Sequence, residues 1–286
     1  MSRLPQWIRI RLRTDGRYCA VQKALQKTRL NTVCESANCP NKAECFSRGT
    51  ATVMIMGNIC TRNCRFCAIQ FGTPSSLAND EPDRVAQLAA RLGLRHVVVT
   101  SVTRDDINDG GASMFARTIT CLKALAGVSI EVLTPDFKGI DKSVSAVLAA
   151  QPDVFNHNLE TVKRLQPVIR PQADYYRSLA VLRFAADWQS RIRVKSGLMV
   201  GLGETDEELL EAKEDLLRAG CEYLTIGQYL APSRSHFPVA RFVQPKMFEH
   251  YRQKALTMGF KAVASGPLVR SSYKAESMLS KNDKHS

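Results

Sequence analysis

The chain contains no apolar run approaching the roughly 18 residues needed to cross a bilayer. Its opening segment, MSRLPQWIRIRLRTDG, also lacks the apolar stretch of about 7–15 residues that a secretory signal requires. The same segment is too short and unpatterned for a transit peptide, so we expect a cytosolic protein with no membrane partner. Carboxylates are scarce at the front: Asp15 alone precedes Glu35, against Arg3, Arg9, Arg11, Arg13, Arg17, Lys23, Lys27 and Arg29. Over the whole chain the formal charge is +13. That excess reads either as a docking surface for an acidic macromolecule or as a solvated basic arm. Helix-turn-helix, zinc-finger and aromatic RNA-binding signatures are missing, so no nucleic-acid partner is expected. There is no internal repeat and no low-complexity linker.

The 286 residues are 44% hydrophobic and 23% charged, enough for a large core in one big α/β domain or two small ones. Short runs rich in Val, Ile and Met fall at 51–57, 96–100, 129–133, 153–158, 192–200 and 223–229, the composition of buried parallel strands. Helical patterns at 82–92, 112–126, 141–150, 175–186 and 206–219 alternate with them. Asp80 with Pro82 suits the start of the first helix, and Thr205 followed by Asp206, Glu207 and Glu208 the start of the last. Strands alternating with helices predict a mostly parallel sheet, either a partial barrel or an open doubly wound sheet. In both cases the active site belongs at the carboxyl ends of the strands. Residues 1–50 and 241–286 flank this core of 51–240, and the polar end 279–286 is expected to fray.

Nine cysteines are an odd number for a disulfide framework, and in a cytosolic protein clustered cysteines mean metal or catalysis more often than disulfides. Six of them form two triplets: Cys34, Cys39 and Cys45 (C-x4-C-x5-C), then Cys60, Cys64 and Cys67 (C-x3-C-x2-C). The second triplet follows the first core strand directly. Three thiolates can hold three corners of a [4Fe–4S] cluster and leave the fourth iron open. Two other readings are a buried helical stripe, since i, i+4, i+7 is also that spacing, and a zinc site. Thr61, Arg62, Asn63 and Arg65 are poor company for a buried stripe, and no fourth zinc ligand follows at a usual spacing. Cys19, Cys121 and Cys221 are scattered and read as small buried hydrophobes. His157 reads as a core or rim histidine, with no second histidine to support a metal role.

C-x3-C-x2-C with Phe66 before its last cysteine resembles the signature of the radical S-adenosylmethionine superfamily. The stretch VCESANCPNKAECFSRGTATVMIMGNICTRNCRFC, covering both triplets, narrows the resemblance to the lipoyl synthase family. LPQWIRIRL, TSVTRDDINDGGA, HNLETV, GLMVGLGETDEE and the C-terminal Arg270-Ser271-Ser272-Tyr273 (RSSY) are similar to family blocks, so the likeness runs over nearly the whole chain. It implies a partial (β/α)6 barrel with N- and C-terminal extensions over its mouth. It implies two [4Fe–4S] clusters: one on Cys60, Cys64 and Cys67 that binds and cleaves S-adenosylmethionine, and an auxiliary one on Cys34, Cys39, Cys45 and Ser272 that serves as sulfur donor. A hard serine oxygen matches a soft cluster poorly, so that corner would be labile. The implied reaction is insertion of two sulfur atoms at carbons 6 and 8 of an octanoyl chain on a lysine of a lipoyl carrier domain, the sulfurtransferase step of lipoate biosynthesis and protein lipoylation.

By the same resemblance Asn158, Glu160 and Arg170 are pocket residues for S-adenosylmethionine, with a structural Glu160–Arg170 ion pair as the alternative. The superfamily's GGE-type cofactor motif is not evident, and SVTRDD (101–106) occupies its loop. Implied partners are octanoylated lipoyl domains of 2-oxoacid dehydrogenase complexes or the glycine cleavage H protein, and an electron donor such as flavodoxin or ferredoxin. A monomer is expected. Competing readings are another two-cluster radical enzyme, biotin-synthase-like or methylthiotransferase-like, and a non-catalytic metal-binding module.

Overall fold

A computed structural model describes residues 4–8, 15–37, 39–48, 52–188, 191–273 and 275–279. Arg3, Arg9, Arg11 and Arg13 of the basic N-terminal segment and the end of the chain from 280 on lie outside the described residues. Among the described residues ten strands occur in the order β1 Asn31–Thr32, β2 Thr52–Ile55, β3 Ile59–Cys60, β4 Gln70–Phe71, β5 His96–Ser101, β6 Ser129–Leu133, β7 Val154–Asn156, β8 Arg193–Val200, β9 Tyr223–Gln228 and β10 Ala262–Gly266. Eight of them make one sheet in the order β1-β2-β5-β6-β7-β8-β9-β10, while β3 and β4 pair separately. From β2 to β10 all pairings are parallel, and only β1 runs antiparallel. The six expected strands are all present, joined by helices Glu81–Leu92, Ala112–Lys123, Asp141–Ala149, Tyr175–Asp187 and Asp206–Arg218. Central strands are buried on both faces, which is why they read as continuous apolar runs: β2, Thr52–Ile55, is buried throughout, as is β9.

Local signals fix some helix starts. Thr205 accepts from the Glu208 backbone N–H, and the Glu208 carboxylate accepts from the Thr205 N–H, a full capping box. Asp80 departs from expectation. It occupies the N-cap position of Glu81–Leu92 but caps nothing, because its carboxylate pairs with Arg84 one turn on (3.1 Å). The sheet also runs past both boundaries read from the sequence. β1 lies within 1–50, and β10 lies within 241–286, registered on β9 from Ala262↔Tyr223 to Gly266↔Gly227. Helices Gly16–Thr28 and Pro245–Met258 were not anticipated either. A single cavity of about 500 Å³ is lined by the strand ends from β2 (Thr52, Met54) round to β9 (Gly227, Gln228). Adjacent strands from β2 to β9 can face a common space only if the sheet curls, so the architecture is a partial barrel with its mouth at the carboxyl ends.

Candidate functional site: two thiol triplets on one cavity

The loop carrying Cys60, Cys64 and Cys67 is clamped from several directions. Its start pairs with β4 through Ile59↔Gln70 and Cys60↔Phe71. The Thr61 N–H donates to Thr103 O (3.1 Å), the Arg65 N–H to Ile169 O (2.8 Å), and the Phe237 N–H to Arg65 O (2.8 Å). Arg62 is 5% exposed and forks onto Asp105 (Nε–Oδ2 2.6 Å, Nη2–Oδ1 3.0 Å), while Nη2 also reaches Asp136 (2.6 Å). Asp136 is fully buried and accepts from Arg177 as well (2.8 Å). Burial would raise the Asp136 carboxyl, but the Arg62 bond and charge outweigh it and hold the group well below the usual carboxylate range. The loop 101–106, which stands where the GGE-type motif would be, braces the cysteine loop through Thr103 and Asp105. Arg62 and Asp136 were missed as functional residues, since nothing in their spacing marks an ion pair 74 positions apart.

Cys60, Cys64 and Cys67 all line the cavity. Cys60 Sγ accepts from the backbone N–H groups of Arg62 (3.4 Å) and Thr103 (3.3 Å). Burial pushes Cys67 up to about 12 and raises Cys64. Protonated thiols in that setting must lose their protons when a metal group binds, so binding and deprotonation are coupled. Among the described residues no three His, Cys, Asp or Glu side chains meet closely enough to hold a single ion. A cubane, by contrast, takes one thiolate per iron corner.

The N-terminal triplet is assembled differently. Cys34 sits in the short helix Val33–Ser36, whose Thr32 side chain accepts from the Glu35 N–H (3.2 Å). Cys39 follows, its N–H donating to Cys34 O (3.2 Å), and Cys45 lies in helix Lys42–Ser47. Cys34 and Cys39 line the cavity, and Cys45 is near enough for its charge to act on Cys34. Cys34 is 6% exposed, and burial pushes its thiol up to about 12.

The RSSY tail closes this side. Ser272 lines the cavity and accepts from Thr52 Oγ1 (2.7 Å). Asn41 Nδ2 donates to Leu268 O (2.6 Å), and Tyr273 OH donates to Glu44 (2.9 Å), tying the tail to the segment that carries the cysteines. Two glycines make room for it. A Cβ on Gly227 would stand 2.2 Å from Val269 O, and one on Gly197 would stand 2.8 Å from Asn158 Oδ1 and 3.1 Å from Ser271 Oγ.

Asn158, Glu160 and Arg170 do gather on the cavity wall, with different partners from those expected. Asn158 Nδ2 donates to Glu160 Oε1 (3.0 Å) and Ser271 Oγ (2.6 Å), leaving Oδ1 buried without a partner. Arg170 Nη1 donates to the carbonyls of Asn158 (3.3 Å) and Leu159 (3.2 Å), so Arg170 and Glu160 are neighbours rather than a hydrogen-bonded pair. Burial raises the Glu160 carboxyl, and the Arg170 charge pulls against it. Glu160 holds φ +70°, a strained setting for a side-chain-bearing residue. It is pinned there by Glu160 N→Gly197 O (2.9 Å) and Met199 N→Glu160 O (2.8 Å). His157 is 1% exposed; Nδ1 meets Thr134 O (2.9 Å), Nε2 has no partner, and burial pushes its pKa down to about 4. Ser101 Oγ, also on the wall, is buried without a partner. Buried polar atoms left unmatched on a cavity lining are an arrangement a polar ligand completes. Apolar residues line the same cavity (Met54, Leu133, Leu198, Met199) and suit a hydrocarbon chain.

Residues 54–216 match the radical SAM superfamily. A lipoyl synthase of Caldanaerobacter subterraneus is 56% identical over 97% of this chain and 98% of its own length. One of Thermus thermophilus is 53% identical over 95% and 85%. Among solved structures, a methylornithine synthase superposes with a TM-score of 0.57 at 14% identity, over 77% of this chain and 72% of its own, a likeness of fold. The chain belongs to the lipoyl synthase family, sulfurtransferases of the radical SAM superfamily, and that membership brings with it a [4Fe–4S] cluster and S-adenosylmethionine.

Proposed function

We propose that this enzyme inserts sulfur at carbons 6 and 8 of an octanoyl chain carried on a lysine of a lipoyl domain, of a 2-oxoacid dehydrogenase complex or of the glycine cleavage H protein. Cys60, Cys64 and Cys67 hold the cluster that binds S-adenosylmethionine; Cys34, Cys39, Cys45 and Ser272 hold the auxiliary cluster. The observation that carries this reading is that Cys34, Cys39 and Ser272 line the same cavity as the loop triplet. When bound, these groups supply what no side chain can: a 5′-deoxyadenosyl radical able to take hydrogen from an unactivated C–H bond, and sulfide to replace it.

The protein's own residues bind, orient and exclude water. Unmatched Asn158 Oδ1, the Glu160 carboxylate, Ser101 Oγ and the Arg170 guanidinium offer acceptors, donors and a cation to the ribose and methionine ends of the cofactor. Met54, Leu133, Leu198 and Met199 receive the acyl chain and keep water from the reacting carbons. A flavodoxin- or ferredoxin-like donor supplies the electron, and the enzyme works as a monomer in the cytosol. No helix among the described residues is long and apolar enough to cross a membrane. The test is the intact mass of an octanoylated carrier domain after anaerobic incubation with cluster-loaded enzyme, S-adenosylmethionine and a strong reductant. Gain of two sulfurs with loss of hydrogens supports the proposal. Accumulation of 5′-deoxyadenosine with no sulfur gain keeps the radical initiator and rejects the lipoyl substrate.

A further inference from the structure

Beneath the cavity the partial barrel buries a charge pair that the proposed chemistry leaves unused. Lys195 on β8 and Glu131 on β6 are 0% and 1% exposed. Lys195 Nζ donates to both Glu131 oxygens (2.8 and 3.0 Å) and, with its remaining N–H, to the backbone carbonyl of Ser271 (2.7 Å). Glu131 Oε1 also accepts from Asn156 Nδ2 (3.0 Å), and Oε2 faces His96 Nε2 at 3.8 Å. An ammonium has three protons and no lone pair. In this interior the third proton is satisfied only if the RSSY segment is in place. Burying such a pair costs desolvation that apolar residues of similar volume would avoid, so net stability alone does not account for it.

We propose that the Lys195–Glu131 pair is a positioning strut for Ser272, presetting its hydroxyl as the fourth ligand of the auxiliary cluster. Lys195 fixes the Ser271 carbonyl and Asn158 fixes the Ser271 hydroxyl at 2.6 Å. The residue preceding Ser272 thus has its carbonyl held by a side chain of β8 and its hydroxyl by a side chain of the loop after β7. A serine oxygen is a poor match for a soft cluster, so this corner depends more on preorganisation than the thiolate corners do. The inference rests on the assignment of Ser272 as a ligand.

The test compares Lys195→Met, Ser272→Ala and the parent protein after identical reconstitution, by iron and sulfide content, EPR and Mössbauer spectra, 5′-deoxyadenosine formation and sulfur insertion. The strut predicts that Lys195→Met copies Ser272→Ala: one iron lost from the auxiliary cluster, a three-iron EPR signal, and sulfur insertion down by about tenfold or more. 5′-Deoxyadenosine formation stays near the parent level in both. The anchors Asn41–Leu268 and Tyr273–Glu44 remain in the variant and keep the tail attached. If Lys195→Met does not fold, the double variant Glu131→Leu/Lys195→Met, which leaves no unpaired buried charge, carries the same expectation. Full iron content in Lys195→Met beside iron loss in Ser272→Ala overturns the strut alone. Full iron content in Ser272→Ala overturns the ligand assignment and the strut with it. Equal iron loss from both clusters in Lys195→Met makes the pair a general structural element and overturns the proposal.

Discussion

The two cysteine triplets both contribute to one cavity, all three thiols of the loop and Cys34 and Cys39 of the other, but they are built on opposite principles. Cys60, Cys64 and Cys67 come from a single eight-residue span, and the loop's backbone is fixed by contacts with the loop after β5, with Ile169 and with Phe237. Cys34 and Cys45 come from two short helices outside the parallel strands, with Cys39 in the link between them, and Ser272 is bonded to Thr52 across 220 positions of chain. A site made from one loop takes the spacing of its ligands from a single short stretch of chain. A site made from two chain ends is only as well formed as the contacts that join those ends. Under the proposed ligand assignment, that difference suits a cofactor site that must persist and a second cluster with one labile corner.

The sharpest way to break the comparison is to empty the loop triplet. Cys60→Ala, Cys64→Ala or Cys67→Ala should each reduce both 5′-deoxyadenosine formation and sulfur insertion to background, read by chromatography of the nucleoside and mass of the carrier. Emptying the N-terminal triplet should separate the two readouts. Cys34→Ala should abolish sulfur insertion while nucleoside formation stays within about threefold of the parent, a barrier change under about 1 kcal/mol. A smaller and purely steric perturbation is Gly227→Ala, whose Cβ would lie 2.2 Å from Val269 O and must push the tail outward. Misplacement of that order costs about tenfold to hundredfold, so sulfur insertion should fall while nucleoside formation holds.

The residues that made the loop triplet readable were all local: spacing, the strand before it, and the polar residues between the thiols. The same holds for the six central strands, buried on both faces, and for the Thr205 capping box. β10, with the sequence AVASG, escaped notice because it is short, rich in small residues and half-buried along most of its length. The helix Pro245–Met258 mixes charges through its apolar positions and buries only Phe248, Tyr251 and Ala255. Nothing local connects Ser272 to Thr52, Ser271 to Lys195 or Leu268 to Asn41, since each contact spans more than 70 positions. Resemblance pointed to Ser272; the hydrogen bonds that hold the tail came only with the fold. Asp80 shows the reverse error, a good capping residue drawn off by an arginine four positions on.

The smallest effect expected sharpens the comparison as a control. Thr205→Ala removes a cap on a helix remote from both triplets and should cost about 1 kcal/mol of stability, seen as a fall in melting temperature of about 2–4 °C. Both activities should be unchanged under conditions where the variant is folded.

The most direct measurement of the division of labour is the iron content and Mössbauer spectrum of two triple variants, Cys34→Ala/Cys39→Ala/Cys45→Ala and Cys60→Ala/Cys64→Ala/Cys67→Ala, beside the parent. Two independent clusters predict about eight irons in the parent and about four in each variant, with nucleoside formation surviving only where the loop triplet is intact. Loss of nearly all iron from either variant, or nucleoside formation in the variant lacking the loop thiols, would contradict the account.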